Sequence, residues 1–90
     1  MTIVEWTPPA LDDLPRIWTE ADVATRTRIT AATDRLDKCV QRDPEAESES
    51  RGGDSRVIVE LPLTAYFLLD AVKNIATIFT VRFVPRRRKS

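Results

Sequence analysis

The residues best suited to chemistry are basic and aromatic, and they lie in the C-terminal half of the chain. Arg56 and Arg82 interrupt otherwise apolar segments, and Tyr66 lies in the segment between them. An arginine side chain can bind a phosphate or a carboxylate through two parallel hydrogen bonds. The simpler alternative is that each arginine pairs with Glu60 or Asp70 at the surface and that Tyr66 lies at the edge of the core. A basic cluster follows the last apolar segment and consists of Arg86, Arg87, Arg88 and Lys89.

Several kinds of site are excluded by the composition. The chain has no histidine, one cysteine and two glycines. Ser-His-Asp and Cys-His nucleophilic sites, most zinc sites and glycine-rich phosphate loops therefore cannot form. The adjacent carboxylates Asp12 and Asp13 lie near a predicted helix start, where acids stabilise the helix dipole. We therefore expect no cofactor and no bound metal.

Two helices are predicted in the N-terminal half, after a short strand at residues 3–6. Thr7 can cap the first helix, and Pro8 suits its first position, where a missing N–H costs nothing. Pro15 either kinks this helix or lies in the first turn of a helix that begins near Asp13. The second helix should run from Asp22 to Arg42 as the partner of a helical hairpin that packs against a sheet. Its apolar stripe consists of Ile29, Ala32, Leu36 and Val40, with Cys39 as the alternative to Val40.

A flexible loop over residues 43–54 is predicted next, and three strands follow it. The strands should cover residues 55–61, 64–70 and 75–84, and the short turns between them favour an antiparallel meander. The last strand is apolar on both faces, which predicts a central strand covered by helix on one side. Strict alternation assigns Ile75, Phe79, Val81 and Phe83 to one face of it, and Ile78 and Val84 to the other. The fold class is therefore α+β, and Trp6 and Trp18 are assigned to the core.

The whole chain has the size of one domain, with residues 1–84 as its body and residues 85–90 as a basic C-terminal tail. A single cysteine, no long apolar run and no leader pattern predict a cytoplasmic protein. The formal charge of zero hides an asymmetry of −5 over residues 1–50 and +5 over residues 51–90. Such a split fits a phosphate-binding face, an acidic protein partner or simply a solvated tail. Small domains often gain stability from a partner, and a homodimer is left open.

The order of these segments resembles the RelE/ParE superfamily of type II toxin–antitoxin toxins. The resemblance covers nearly the whole chain: W-T-P-P-A after the first strand, L-D-D-L-x-x-I-W, I-T-A-A-T-D-R-L, an Arg-led strand, L-P-L, an aromatic strand and V-R-F-V. It implies two helices against a twisted sheet, a β-α-α-β-β-β order and a cognate antitoxin that covers the basic face. RelE-like members cleave mRNA on the ribosome, and ParE-like members inhibit DNA gyrase.

The resemblance also implies roles for individual residues. Arg56 matches a basic residue that often opens the first strand of the meander, Arg82 matches an arginine on the last strand, and Arg86 and Arg87 match the basic pair after it. Ribonuclease members also use a basic residue early in the middle strand and a tyrosine or histidine near the C-terminus. This chain has Thr64 at the first position and no aromatic residue beyond residue 83.

Three hypotheses follow for the function. RNA cleavage needs groups that accept and donate a proton, and arginine stays protonated, so the first hypothesis is a toxin that acts by binding gyrase or a translation target. The second is a ribosome-dependent endoribonuclease, in which Arg56, Arg82 and Arg86 hold the phosphate and Tyr66 transfers a proton. The third is a non-toxic member of the fold that binds an acidic protein through Arg86, Arg87, Arg88 and Lys89.

Overall fold

Within residues 1–85 the chain forms two helices and five strands; four of the strands follow the predicted order, and the fifth is a short strand that was not predicted. A computed structural model of the chain describes residues 1–85 and is the structure discussed below. The predicted tail residues from Arg86 onward lie outside this described part. The elements are β1 (Ile3–Trp6), α1 (Pro8–Glu20), α2 (Val23–Arg42), β2 (Glu49–Ser50), β3 (Ser55–Glu60), β4 (Leu63–Asp70) and β5 (Ile75–Phe83).

The helix starts are set by the predicted caps. The Ala10 N–H donates to the Thr7 hydroxyl over 3.3 Å, and the Thr25 N–H donates to the Asp22 carboxylate over 2.8 Å. Each cap satisfies a backbone donor that has no partner within the first turn. No helix in the described part of the chain is long and apolar enough to cross a membrane.

Pro15 lies inside α1, so the helix does not begin near Asp13. A proline here removes the hydrogen bond to the carbonyl of Leu11, one turn earlier. Both Leu11 and Pro15 are exposed. The helix therefore tolerates the proline because the lost hydrogen bond is on its solvent side, where water can replace the missing donor.

The sheet contains all five strands in the order β1-β5-β4-β3-β2. Strands β3, β4 and β5 form the predicted antiparallel meander, and β1 pairs in parallel with β5. Because β1 pairs with one edge of β5 and β4 with the other, β5 is an interior strand of the sheet. The predicted α+β class and the central position of the last strand are confirmed.

Both helices pack on the same face of this sheet, α1 against β5 and α2 against β1, β3 and β4. All four residues of the predicted α2 stripe are buried, and Cys39 packs at the edge of the same core. The described residues therefore form a two-layer domain, and none of the helices within residues 1–85 packs on the opposite face of the sheet. The core consists of Ala10, Ile17, Ile29, Ala32, Leu36, Val40, Ile58, Leu63, Ala65, Phe67, Leu69, Ala76, Ile78 and Val81.

A β-bulge in β5 changes which of its residues face the core. Phe67 pairs with Ile78, whereas its neighbour Tyr66 pairs with Thr80, so Phe79 is an extra residue on β5. A bulge shifts the side-chain alternation by one residue beyond the insertion. Val81 is consequently buried with Ile78, while Phe79 is on the open face. The predicted sharing of one face by Phe79 and Val81 is wrong for this reason.

The segment predicted as a flexible loop is partly ordered by the sheet. Residues 44–47 form turns, and β2 adds a two-residue strand to the edge of β3. The N–H of Glu47 donates to the carbonyl of Asp43 over 3.0 Å, and Pro44 is buried. Composition alone suggested a loop because the β2–β3 pairing joins the segment to residues that follow it in sequence.

Trp18 is not a core residue, contrary to the prediction, because its side chain lies at the surface and is 44% exposed. The guanidinium carbon of Arg26 lies 4.2 Å from the centre of its ring, a cation–π contact. Arg26 also donates to the carbonyls of Trp18 (2.8 Å) and Thr19 (3.1 Å) at the end of α1. This arginine therefore caps α1 and holds the indole ring in place. Trp6, in contrast, packs against the core as predicted.

Candidate functional site

The open face of the sheet is the surface best suited to bind another molecule. Its strands carry apolar side chains that water reaches, although no described element covers them. Val59 is 57% exposed, Leu68 is 47% exposed and Phe79 is 36% exposed. Exposed apolar residues that are contiguous on one face, rather than scattered, are typical of an interaction surface.

Tyr66 and Arg82 lie next to each other on this open face. Thr64 pairs with Arg82 across β4 and β5, and Tyr66 is two residues further along β4 on the same side. Diagonal neighbours of this kind have Cα atoms about 7–8 Å apart, within reach of long side chains. The Tyr66 ring also contacts Phe79, with ring centres 6.5 Å apart and planes tilted by 40°. The fold therefore brings together two of the three residues assigned to the centre of the predicted site.

Arg82 is well placed to bind a ligand. It is exposed, and within residues 1–85 no carboxylate forms an ion pair with its guanidinium. The alternative pairing with Glu60 does not occur, because Glu60 accepts a hydrogen bond from Arg35 over 3.1 Å. A guanidinium with free donors can bind a phosphate or a carboxylate with two hydrogen bonds.

Arg56 lies on the other face of the sheet. It pairs with the buried Phe67 across β3 and β4, which directs it to the helix side. Its guanidinium donates to the hydroxyl of Ser48 (2.7 Å), the carbonyl of Ser48 (3.1 Å) and the carbonyl of Glu45 (3.1 Å). Arg56 therefore anchors the segment before β3, and the fold does not bring it together with Tyr66 and Arg82.

Replacing Arg56 with alanine is expected to lower the free energy of unfolding by about 1.5–3 kcal/mol, because three hydrogen bonds from a charged donor are lost. Urea denaturation of the purified protein measures this change. Replacing the exposed neighbour Arg51 with alanine removes the same charge and is expected to cost less than about 0.5 kcal/mol. Equal stability of the two variants would show that Arg56 does not hold the segment.

The remaining basic residues of the predicted site are Arg86, Arg87, Arg88 and Lys89. All four lie outside the described residues, so their role in binding a target or a phosphate stays a prediction. Arg82 carries the positive charge among the described strand residues on the open face.

Asp13 is a residue beside this site whose role the sequence did not indicate. Its carboxylate accepts a hydrogen bond from the Val81 N–H over 3.0 Å and from the Thr80 hydroxyl over 3.3 Å, and it forms an ion pair with Arg16. Within residues 1–85 no strand pairs with the outer edge of β5 beyond β1, and Asp13 supplies an acceptor there. The α1 helix is thereby joined to the strand that carries Arg82.

The pKa of Asp13 is below the ordinary value of 3.8. Burial of the carboxyl group raises the pKa, but the hydrogen bond from Val81 and the ion pair and hydrogen bond with Arg16 together lower it by more. A carboxyl group whose pKa is lower in the folded state stabilises the fold above its unfolded pKa. This stabilisation is lost as the pH falls through the folded-state value.

Replacing Asp13 with alanine is expected to lower the free energy of unfolding by about 1–3 kcal/mol at neutral pH, because the Val81 N–H loses its acceptor. Replacing it with asparagine keeps an acceptor oxygen and should cost less. The difference between wild type and the alanine variant should shrink as the pH falls below 3.8. Denaturation curves at neutral and acidic pH measure both effects. A difference that stays constant with pH would contradict the role of the ionised carboxylate.

A cleft of about 710 Å³ lies between α1 and the end of β5, next to Arg82. Its walls carry the cations Arg16 and Arg82, but also Asp13, Glu20 and Asp22. Because charges of both signs line it, the cleft offers no selective attraction for an anion. We therefore place the candidate site on the open sheet face.

Comparison with known proteins connects this architecture to one fold. No family model matches the chain, and no curated protein matches it. Solved structures, in contrast, do match this chain. A chain of the toxin–antitoxin complex RelBE2 from Mycobacterium tuberculosis aligns with a TM-score of 0.69 at 16% identity, over 91% of this chain and 96% of that one. A chain of the chromosomal ParDE system from P. aeruginosa aligns with a TM-score of 0.70 at 17% identity, over 94% and 98%.

The isolated RelE toxin from E. coli also aligns, with a TM-score of 0.60 at 13% identity over 97% of this chain and 88% of that one. The TM-scores show that the fold is shared, and at identities of 13–17% the likeness shows the fold alone. These matches cover at least 91% of this chain and at least 88% of each matched chain, so the likeness concerns the whole domain. The chain therefore has the RelE/ParE fold, as its residue pattern predicted.

Proposed function

We propose that this chain is the toxin component of a type II toxin–antitoxin system, that a protein antitoxin neutralises it, and that it acts on translation or on DNA gyrase. The observation that carries the proposal is the fold shared with chains of the RelBE2 and ParDE systems over more than nine-tenths of the domain. The open sheet face, with Arg82 beside Tyr66 and exposed apolar residues around them, offers a surface for a macromolecular target.

Binding of the target, rather than cleavage of RNA, is the mechanism that the described residues favour. Cleavage through the 2′-hydroxyl requires one group to take a proton and another to give one, together with positive charge over the phosphate. Arg56 is hydrogen-bonded to Ser48 and Glu45 on the far side of the sheet, which leaves Arg82 and Tyr66 on the open face. Among the residues that the structure describes, the site offers one cation next to an aromatic side chain, an arrangement suited to recognition by contact and charge.

Induced expression of the chain in a bacterial culture tests the proposal. We expect growth arrest, accompanied by a loss of methionine incorporation if the target is in translation, or a loss of thymidine incorporation if the target is gyrase. Normal growth with soluble, folded protein in the cells would contradict the toxin assignment. It would instead favour the non-toxic, protein-binding hypothesis.

Purified protein tests the choice between binding and cleavage. Added to translating ribosomes at a one-to-one ratio, it should leave the bound mRNA intact, and in a parallel assay its effect on supercoiling by gyrase can be measured. Cleavage of the mRNA at this ratio would contradict the binding mechanism and revive the endoribonuclease hypothesis, with Tyr66→Phe as the variant that tests its proton-transfer role.

A further inference from the structure

The open face of the sheet carries opposite charges at its two ends. Arg82 lies at one end, where it pairs with Thr64 across β4 and β5. Asp70 lies at the other end of β4, six residues or about 20 Å further along the strand. Because Asp70 follows the buried Leu69 in the alternation of β4, it is on the same face as Arg82. A cation and a carboxylate thus mark the two ends of one surface.

Glu5 of β1 adds a second carboxylate in the same half as Asp70. Its neighbours Val4 and Trp6 both pack against the core, so the alternation of β1 places Glu5 on the open face. Within residues 1–85 neither Glu5 nor Asp70 forms an ion pair. Asp70 accepts a hydrogen bond from the Lys73 N–H over 3.0 Å, which leaves its charge unneutralised. Both carboxylates can therefore receive a cation from another molecule.

Apolar and aromatic side chains occupy the middle of this face. Tyr66 and Phe79 contact each other there, with Leu68 beside them on β4. Ile3, which is 59% exposed, continues the apolar region onto β1. With five strands about 4.8 Å apart and eight residues of about 3.3 Å along β4, the face measures roughly 19 Å by 26 Å. A contact of this size suits a reversible association.

We propose that the open face binds a second copy of the chain, with the two sheets face to face and their strands antiparallel. A two-fold axis between the sheets and perpendicular to the strands turns one copy end over end. Arg82 of each copy then lies over the end of the face that carries Asp70 of the other, and the two Phe79 rings meet near the axis. Sheets packed face to face are about 10 Å apart, a gap that side chains from both copies fill.

Charge distinguishes this arrangement from the alternatives. A two-fold axis parallel to the strands would place Arg82 of both copies at the same end, roughly 20 Å from either Asp70. A ligand with one sign of charge, such as a nucleic acid, matches Arg82 but would meet Asp70 and Glu5 at the other end. An inverted copy matches both ends at once, which is the complementarity that fixes the register of an interface.

The same surface cannot bind a target and a second copy together. In the dimer Arg82 and Tyr66 are covered, so the monomer is the form that can engage a target. Association therefore lowers the fraction of chains available to a target as the protein concentration rises. This consequence rests on the proposed function, whereas the dimer itself does not.

Sedimentation velocity of the purified full chain over roughly 1–500 μM tests the proposal. We expect monomer at the low end and a species of twice the mass at the high end, as for a weak interface. Leu68→Glu places a charge in the middle of the face and should weaken the dimer at least about tenfold. Val23→Glu introduces the same charge at the exposed start of α2 and should leave the dimer unchanged. A chain that stays monomeric throughout this range, or an unchanged dimer in Leu68→Glu, would overturn the proposal.

Charge reversal tests the antiparallel arrangement. Arg82→Glu and Asp70→Arg should each weaken self-association at least about tenfold, because like charges then face each other twice in the dimer. Mixed in equal amounts, the two variants should associate with each other, since every charge pair in the mixed dimer is again of opposite sign. Failure of the folded variants to associate on mixing would overturn the arrangement.

Thermal denaturation shows whether each reversed variant is folded. Asp70→Asn keeps an acceptor oxygen for the Lys73 N–H and removes the charge, so it should weaken the dimer even if Asp70→Arg does not fold. An unchanged dimer in Asp70→Asn would contradict the role of this carboxylate and overturn the arrangement as well.

These readouts are independent of growth arrest. A chain that arrests growth but remains monomeric would overturn this inference and leave the proposed function standing. A chain that forms the dimer without arresting growth would contradict the proposed function and support the dimer alone.

Discussion

Replacing Arg82 with alanine is expected to abolish growth arrest while the melting temperature stays unchanged. Arg82 is exposed on the open sheet face and has no ion-pair partner within residues 1–85, so its removal leaves no buried group unsatisfied. Removing one partner of a charged pair that is desolvated at an interface lowers the binding free energy by about 2–5 kcal/mol. This corresponds to a loss of affinity of about 30-fold to more than 1,000-fold. Culture growth after induction and thermal denaturation measure the two effects.

Two variants serve as controls for Arg82→Ala. Lys73→Ala removes the same charge from the turn between β4 and β5, away from the open face, and should leave growth arrest intact. Arg82→Lys keeps the charge but loses the paired hydrogen bonds of the guanidinium, and it should restore part of the activity if phosphate or carboxylate binding is involved. Full arrest by Arg82→Ala would show that the described open face is not the working surface.

Replacing Phe67 with alanine is expected to have the largest effect on stability, a loss of about 3–5 kcal/mol. Phe67 is fully buried at the centre of the core on β4. A domain of this size has a total free energy of unfolding of about 5–13 kcal/mol, so the loss is a large fraction of it. Urea denaturation should show a much lower midpoint. If the free energy of unfolding of the wild type is at the lower end of its range, the variant should be largely unfolded even without urea.

Phe79→Ala is the matched control on the other face of the sheet. Phe79 is partly exposed and contacts Tyr66, and its removal should cost about 1 kcal/mol. If Phe79→Ala were as destabilising as Phe67→Ala, Phe79 would have to face the core. The pair of variants therefore also tests the bulge that places Phe79 on the open face.

Much of the fold follows from local patterns in the sequence. The caps Thr7 and Asp22 define the helix starts because a cap acts on a backbone N–H three residues away. The stripe of α2 is buried as the helical period requires. The order of the strands follows from short turns, and the adjacent positions of Tyr66 and Arg82 follow from the alternation within paired strands.

The tertiary structure decided which face several residues occupy. The bulge at Phe79 reverses the alternation in β5, and no residue type marks it in the sequence. Arg56 appeared equivalent to Arg82, yet its position opposite Phe67 directs it to the helix side, where the carbonyls before β3 need a donor. The physical reason is the same in both cases: register between strands is a property of the pair, and it is not encoded in either strand alone.

Asp13 gives the clearest division between sequence and tertiary structure. The sequence by itself predicted an acidic pair near the start of the first helix and a central last strand; in the structure the pair, Asp12 and Asp13, lies beyond the first turn of α1. Only the assembled fold placed the Asp13 carboxylate against the Val81 N–H, a donor 68 residues away in the chain. That contact exists because β1 stops short of the end of β5, so no strand among residues 1–85 pairs with this edge at Val81, and a buried N–H requires an acceptor from whichever element lies beside it.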